Sequence, residues 1–293
     1  MPKKAAVDST PKSKKAVRKI PNSKKDTSKT VKPRKATIEK KALAEKICKA
    51  PIPVYDAPAE NQLRTAHFDI GTKNFAFYVE DADKATLTDL KERYHSLPKK
   101  NRRRIKGPMN DDIEAILDDL YTNSTTVEAR VNNVRVDAED ASFTIDTRKS
   151  LFQYLTKYKQ LWSTIDTFVI EQQFFNTFTM RGKKKGGTEA NVTAIKVAEC
   201  LVSWLLIHYP TANISFFGSQ FKTQTLGCPD KTPKPQRKKW STAKGREILE
   251  RRKETDIISK FDTLASVGQK LDDVCDCIIQ CQAWKFREMV GEF

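Results

Sequence analysis

Residues 64–71 alternate, with Ala66, Phe68 and Ile70 on one side and His67, Asp69 and Gly71 on the other, the two-residue period of a strand. A tight turn at Gly71-Thr72-Lys73-Asn74 leads into 75–80, and the two segments predict a hairpin. From about 83 to 146 the pattern is irregular. It contains a basic run at 99–104, an acidic helix candidate at 111–121, and an alternating segment at 126–136 that predicts a third strand. Helical spacing returns at Leu151, Tyr154, Leu155, Tyr158 and Trp162. A short strand at 167–171 ends in Glu171, an apolar-faced helix runs over 189–208 until Pro210 stops it, and 214–217 reads as another strand. Residues 222–246 read as a polar, Lys-rich linker, followed by helices around 245–261 and 272–289. Strands first, then strands alternating with helices, predict an α/β fold: a mixed sheet with helices on its faces.

Composition narrows the function classes. The longest nearly apolar stretch, 200–209, is ten residues and includes Ser203 and His208. About 20 are needed to span a bilayer, so no integral membrane protein is expected. The start, Met-Pro-Lys-Lys, lacks the apolar core of a signal peptide, so the glycosylation-like tripeptides at Asn123, Asn191 and Asn213 are read as chance. Cys48, Cys200, Cys228, Cys275, Cys277 and Cys281 contain no C-x-x-C pair and read as buried thiols rather than a zinc site.

The net charge of +17 is unevenly placed: residues 1–50 hold 17 of the 54 Lys and Arg but only four acids, Asp8, Asp26, Glu39 and Glu45. With few large apolar groups, this part is expected to be a disordered arm, taken as residues 1–60, with the folded domain at 61–293. A polyanion is its natural partner, because each neutralised phosphate releases counterions. An import signal or a solubilising tail is the alternative. A mitochondrial transit peptide would favour Arg, and here only Arg18 and Arg34 occur.

Four acids stand out. Asp69 lies on a mostly apolar strand, Glu171 ends a second, and Asp273 and Asp276 share a face at the start of the last helix. A lone buried carboxylate is costly. If these acids converge, repulsion raises their pKa values unless a cation is present, and hard oxygen ligands suit Mg²⁺. Two such ions about 4 Å apart can activate water and stabilise a leaving oxygen. The plainer reading has Asp69 capping a turn, Glu171 exposed, and Asp272, Asp273 and Asp276 complementing the helix dipole. Residue chemistry alone leaves both readings open.

Phe68-Asp69-Ile70-Gly71-Thr72-Lys73-Asn74-Phe75-Ala76, Ile170-Glu171-Gln172-Gln173-Phe174 and Lys270-Leu271-Asp272-Asp273-Val274-Cys275-Asp276 resemble the RuvC family of Holliday-junction resolvases. The branch is that of poxviruses, related large DNA viruses and fungal mitochondria, and the similarity spans about 63–290 with an insertion near 83–146. The order of the motifs is more specific than any one of them. The resemblance implies an RNase H-like fold, a mixed five-stranded sheet flanked by helices, in a homodimer. It implies two Mg²⁺ per active site, with Mn²⁺ as a substitute, held by Asp69, Glu171, Asp273 and Asp276. Asp272 stands in for Asp273 if the register shifts by one.

The family also carries a catalytic lysine before the last helix, which maps to Lys244, with Lys222 and Lys239 as rivals. Phe174 would wedge into the junction, where base stacking contributes about 1–3 kcal/mol; a core Phe is the alternative. Arg181, Lys183, Lys184 and Lys185 form a cationic loop for phosphates, or an ordinary solvated loop. Lys222 and Lys239 join the expected DNA contacts, and His67 reads as a packed strand histidine. The implied activity is paired, symmetric nicking of four-way DNA junctions, leaving 5′-phosphates, and a two-fold dimer suits a two-fold substrate. The implied place is intracellular: a viral replication compartment in the host cytoplasm, or the nucleus.

Three rivals remain. An actin-like ATPase would share the Asp69-Ile-Gly-Thr turn, but it needs further glycine-rich turns; the ten glycines form none, so no nucleotide cofactor is expected. A different RNase H-like nuclease would share the metal site. A non-catalytic DNA-binding protein would make the acids dispensable.

Overall fold

The computed structural model describes residues 51–102, 109–134, 143–172, 192–268 and 271–291. A single sheet has the order β3-β2-β1-β4-β5. β1 (Gln62–Asp69), β2 (Phe75–Asp83) and β3 (Ser124–Asn132) form an antiparallel meander. β4 (Thr167–Gln172) runs parallel to β1, and β5 (Asn213–Gly218) parallel to β4. This is the mixed five-stranded, RNase H-like sheet that the motif resemblance implies.

The helices are α1 (Lys84–Ser96), α2 (Lys99–Arg102), α3 (Asp111–Thr122), α4 (Ile145–Lys157), α5 (Lys159–Trp162) and α6 (Val192–His208). After β5 come α7 (Ser219–Thr225), α8 (Lys234–Arg251), α9 (Thr255–Ser266) and α10 (Asp272–Trp284), which continues into a π-helical turn, Lys285–Gly291. Among the described residues no helix is long and apolar enough to cross a membrane.

Strand alternation splits the core in two. Ala66, Phe68, Phe75, Phe77, Phe168 and Ile170 pack under α4, α5 and α6. Ala76, Tyr78 and Val169 face α1, α3, α8 and α10. Because the side-chain period is two, Thr65, His67 and Asp69 also face α10. His67 is buried with its ring edge toward Trp284, and burial lowers its pKa to about 3. It is a neutral packed histidine.

Two stretches differ from expectation. The acidic helix expected at 111–121 is α3, but the irregular reading of the residues before it gives way to α1. Asp83 caps α1 by accepting from the Thr86 N–H at 2.7 Å, but only Leu87, Leu90 and Tyr94 bury, a stripe too sparse to stand out among charges. The expected linker at 222–246 is a linker only over 226–233; the rest is the end of α7 and most of α8. The buried positions of α8 are Ser241, Gly245, Ile248 and Leu249. Its first two turns against the core are small residues, so hydrophobic periodicity misses them. The last helices break where Lys253 takes φ +58°, separating α8 from α9.

The described chain begins inside the expected arm. Tyr55 is buried and donates to Glu128 Oε2 at 2.6 Å, and Arg64 binds Asp81 through two hydrogen bonds while reaching the Asp56 carbonyl at 2.6 Å. Residues 1–50 lie outside the described residues.

A second buried charge cluster fixes the far end of α10. Glu80, fully buried on β2, accepts from Arg252, Tyr78 and Gln282, each at 2.9 Å, and pairs with Lys285. Lys285 also donates to Ser124 Oγ at 2.7 Å, tying the π-helical turn to β3. Burial pushes the Glu80 carboxyl up, but Arg252 and Lys285 outweigh it and hold the carboxyl far below its usual range. Glu80 therefore stabilises the fold above its unfolded pKa and ceases to do so as pH falls through the folded one. Removing one member of such a cluster strands the others. Glu80→Gln is expected to lower unfolding free energy by about 3–5 kcal/mol in urea titrations at pH 7. The variant's stability should also fall less steeply than the wild type's below about pH 4.

Candidate active site

Three elements deliver acids to one end of the sheet. Asp69 closes β1, Glu171 sits near the end of β4, and these strands run parallel, so both side chains leave at the same edge and on the α10 face. α10 starts beside them, with Asp272 and Asp273 in its first turn and Asp276 one turn on. Its approach depends on Gly245: a Cβ there would lie 2.9 Å from the Cys275 Cβ, so α8 and α10 meet at van der Waals distance only because that side chain is absent. Burial, then the nearby Asp69 charge, pushes the Cys277 thiol well above its usual range, so this part of α10 packs at the end of β1.

Lys222 is the fourth member. The short α7 that follows β5 carries it inward, and only 6% of its surface remains exposed. Its Nζ lies 3.3 Å from Glu171 Oε2 and 3.4 Å from Asp276 Oδ2. Burial lowers the ammonium's pKa, but Glu171, Asp276 and Asp69 more than compensate and raise it above the usual lysine range. Asp69 is pushed well above the ordinary carboxylate range by burial, then by the Glu171 charge, with Lys222 opposing.

Of the four expected acids, Glu171 and Asp276 thus pair with one ammonium, and Asp69 lies near enough for its charge to act on it. Asp273 stands a turn away, and its charge acts on Lys238. Asp272 is taken by Lys238 at 2.6 Å. Lys244 is not at this cluster: its ammonium is held by both oxygens of Glu247, at 3.0 and 3.1 Å, above the Tyr121 ring. It lines a separate cavity of about 680 Å³ between α3 and α8. The lysine at the acids is Lys222, which the sequence offers only as a rival.

Lys239 is exposed on α8 with Lys234, Arg237 and Lys238, making the helix's first two turns a cationic row next to Asp272. Phe174, Arg181, Lys183, Lys184 and Lys185 lie outside the described residues. Lys238 was not singled out from sequence; its signal, a lysine four residues from Lys234, is lost in a segment rich in lysine.

Among the described residues no group of three or more His, Cys, Asp or Glu side chains stands ready to hold a metal ion. A cation is nevertheless at the centre of the acids, and it is the Lys222 ammonium. Carboxylate oxygens on a rigid strand pair and a helix are the donor type that Mg²⁺ and Mn²⁺ accept, so the chemistry fits a hard divalent ion.

No family model matches the sequence. Uncharacterized protein 97L of Invertebrate iridescent virus 3 is 27% identical over 224 residues, covering 75% of this chain and 98% of that protein. Uncharacterized protein 170L of Invertebrate iridescent virus 6 is 29% identical over 248 residues, covering 78% and 90%. Among solved structures, the chain is similar to the fowlpox virus Holliday junction resolvase, with a TM-score of 0.40, 14% identity, and coverage of 76% of this chain and 98% of that one.

Like charges crowded at Asp69 work against stability. Asp69→Asn, which keeps the shape and removes a charge, is expected to stabilise the metal-free protein by about 1 kcal/mol, seen as a higher melting midpoint in chelator. Gly245→Ala places a methyl where Cys275 already stands. A loss of about 1–3 kcal/mol in denaturant titration is expected.

Proposed function

We propose that this chain is a divalent-metal-dependent endonuclease that cuts branched DNA, with the four-way junction as its substrate. The observation that carries the reading is the convergence of Asp69, Glu171 and Asp276, from β1, β4 and α10, on one buried positive charge at the end of an RNase H-like sheet. A core does not need such a cluster. Apolar side chains of similar volume are often as stabilising as buried ions or more so, and strongly perturbed carboxyls gather where chemistry is done.

Asp69, Glu171 and Asp276, with Asp273 a turn away, are the residues that would hold the metal. A divalent ion bound there would supply an activated water and stabilisation for the leaving oxygen of a phosphodiester. The chain's own groups supply the rest. Lys234, Arg237, Lys238 and Lys239 offer a cationic row for the DNA backbone beside the acids, where phosphate contacts position the substrate without reading sequence. Lys222 carries its positive charge on a flexible stem rooted beside these acids, within reach of a reacting phosphate whose developing negative charge it would favour. The 17 Lys and Arg of residues 1–50 add salt-sensitive affinity.

The choice of a branched substrate is supported by the motif resemblance of Asp69, Glu171, Asp273 and Asp276 to the junction resolvases, and it carries a homodimer with it. Two copies related by a two-fold axis would meet the two-fold symmetry of a junction.

The test is incubation of purified full-length protein with a four-way junction, a linear duplex and an RNA–DNA hybrid, with and without Mg²⁺. Junction cleavage that depends on Mg²⁺ is expected, together with its loss in Asp69→Asn and Glu171→Gln at nearly unchanged junction binding. Cutting of the hybrid with the junction intact would move the activity to another RNase H-like nuclease. Full cleavage by either variant would remove the acids from the reaction.

A further inference from the structure

We infer that Lys222 is a tethered cation that competes with the divalent ion for the same carboxylates, so that metal binding must expel its ammonium from among Asp69, Glu171 and Asp276. The inference rests on the metal-dependent reading above and makes Lys222 a positioning residue that sets metal affinity, separate from any contact with phosphate.

The argument starts from burial. A lysine left 6% exposed needs counter-charges, and its two ion-pair partners, Glu171 and Asp276, are both proposed metal ligands. Its distances are unlike those of a committed pair. Lys238 reaches Asp272 at 2.6 Å, within the range of a strong charge-assisted hydrogen bond, whereas Lys222 stays at 3.3 and 3.4 Å from two acids at once. It shares its charge among the carboxylates, as a central ion would.

A Mg²⁺ taking oxygens of Glu171 and Asp276 at about 2.1 Å would then face an ammonium within the same few ångströms. The two positive charges repel, and they draw on the same oxygen lone pairs. The lysine can yield because its charge rides on four flexible methylenes. α7 itself is anchored independently: Phe221 packs against Phe217 and lies beneath the Arg287 guanidinium, 4.1 Å from the ring centre. The ammonium can therefore leave while α7 stays.

With Lys222 in place the acids tolerate each other without metal; the cost is that the ion-binding arrangement is available only when the ammonium is out. If that arrangement is populated at about one part in ten, apparent metal affinity is about tenfold weaker than intrinsic affinity.

The experiment measures Mn²⁺ binding to full-length wild type and Lys222→Met by electron paramagnetic resonance of the free ion, alongside melting midpoints with and without Mn²⁺. The variant is expected to bind Mn²⁺ about tenfold more tightly, to melt lower than wild type in chelator, and to gain more from Mn²⁺. Equal affinity and equal gain in the two proteins would overturn the competition while leaving the metal reading intact. Binding by neither protein would overturn both. Should Lys222→Met not fold, amine-reactive labelling of wild type with mass-spectrometric readout decides the matter. Lys222 is expected to be shielded in chelator and labelled in Mn²⁺, and unchanged labelling in the presence of bound Mn²⁺ would refute its displacement.

Discussion

Three carboxylates crowded around one buried ammonium are the constraint on which the rest of the molecule turns. Like charges at this range repel, and burial strengthens the repulsion, so the acids stay together because the Lys222 ammonium offsets part of their charge and rigid elements hold their backbones. The parallel pairing of β1 with β4 fixes Asp69 relative to Glu171. The close approach of α8 to α10 at Gly245, and the burial of Cys277 beside the end of β1, fix Asp276 relative to both. Stability is spent locally and recovered elsewhere along the same helix.

The recovery is visible at the opposite end of α10. Glu80 sits deeper than the acids do, yet it is surrounded by Arg252, Lys285, Gln282 and Tyr78, and its carboxyl shifts downward where that of Asp69 shifts upward. One face of the sheet therefore holds two buried charge clusters with opposite balances. The one rich in donors anchors the fold. The one rich in acids is left short of positive charge.

Much of this was legible in the residues. The strand carrying Asp69, the strand ending at Glu171 and the helix opened by Asp272 stand out because alternation and helical spacing mark their buried faces. What stayed hidden follows from two physical causes. The buried stripe of α8 starts with Ser241 and Gly245, so close helix packing there leaves no hydrophobic signature. Pairings such as Glu80 with Arg252 and Lys285, or Lys222 with Glu171, join residues far apart in sequence, and a lysine-rich segment does not reveal which lysine turns inward. Lys222 lies within α7, whose seven residues are too few to show a period.

The helices α1, α2 and α3 lie between β2 and β3, although those two strands are neighbours in the sheet. Val79 must find Glu128, and Thr65 must find Thr167, before either pairing is rewarded. Such a topology has a high contact order, and the entropy of closing these loops precedes the gain. The β1–β2 hairpin can form early, but its flanks stay unpaired until distant strands arrive. During that interval the chain exposes sticky strand edges to its neighbours, so the yield of native protein is governed by how quickly the slow pairings outrun association.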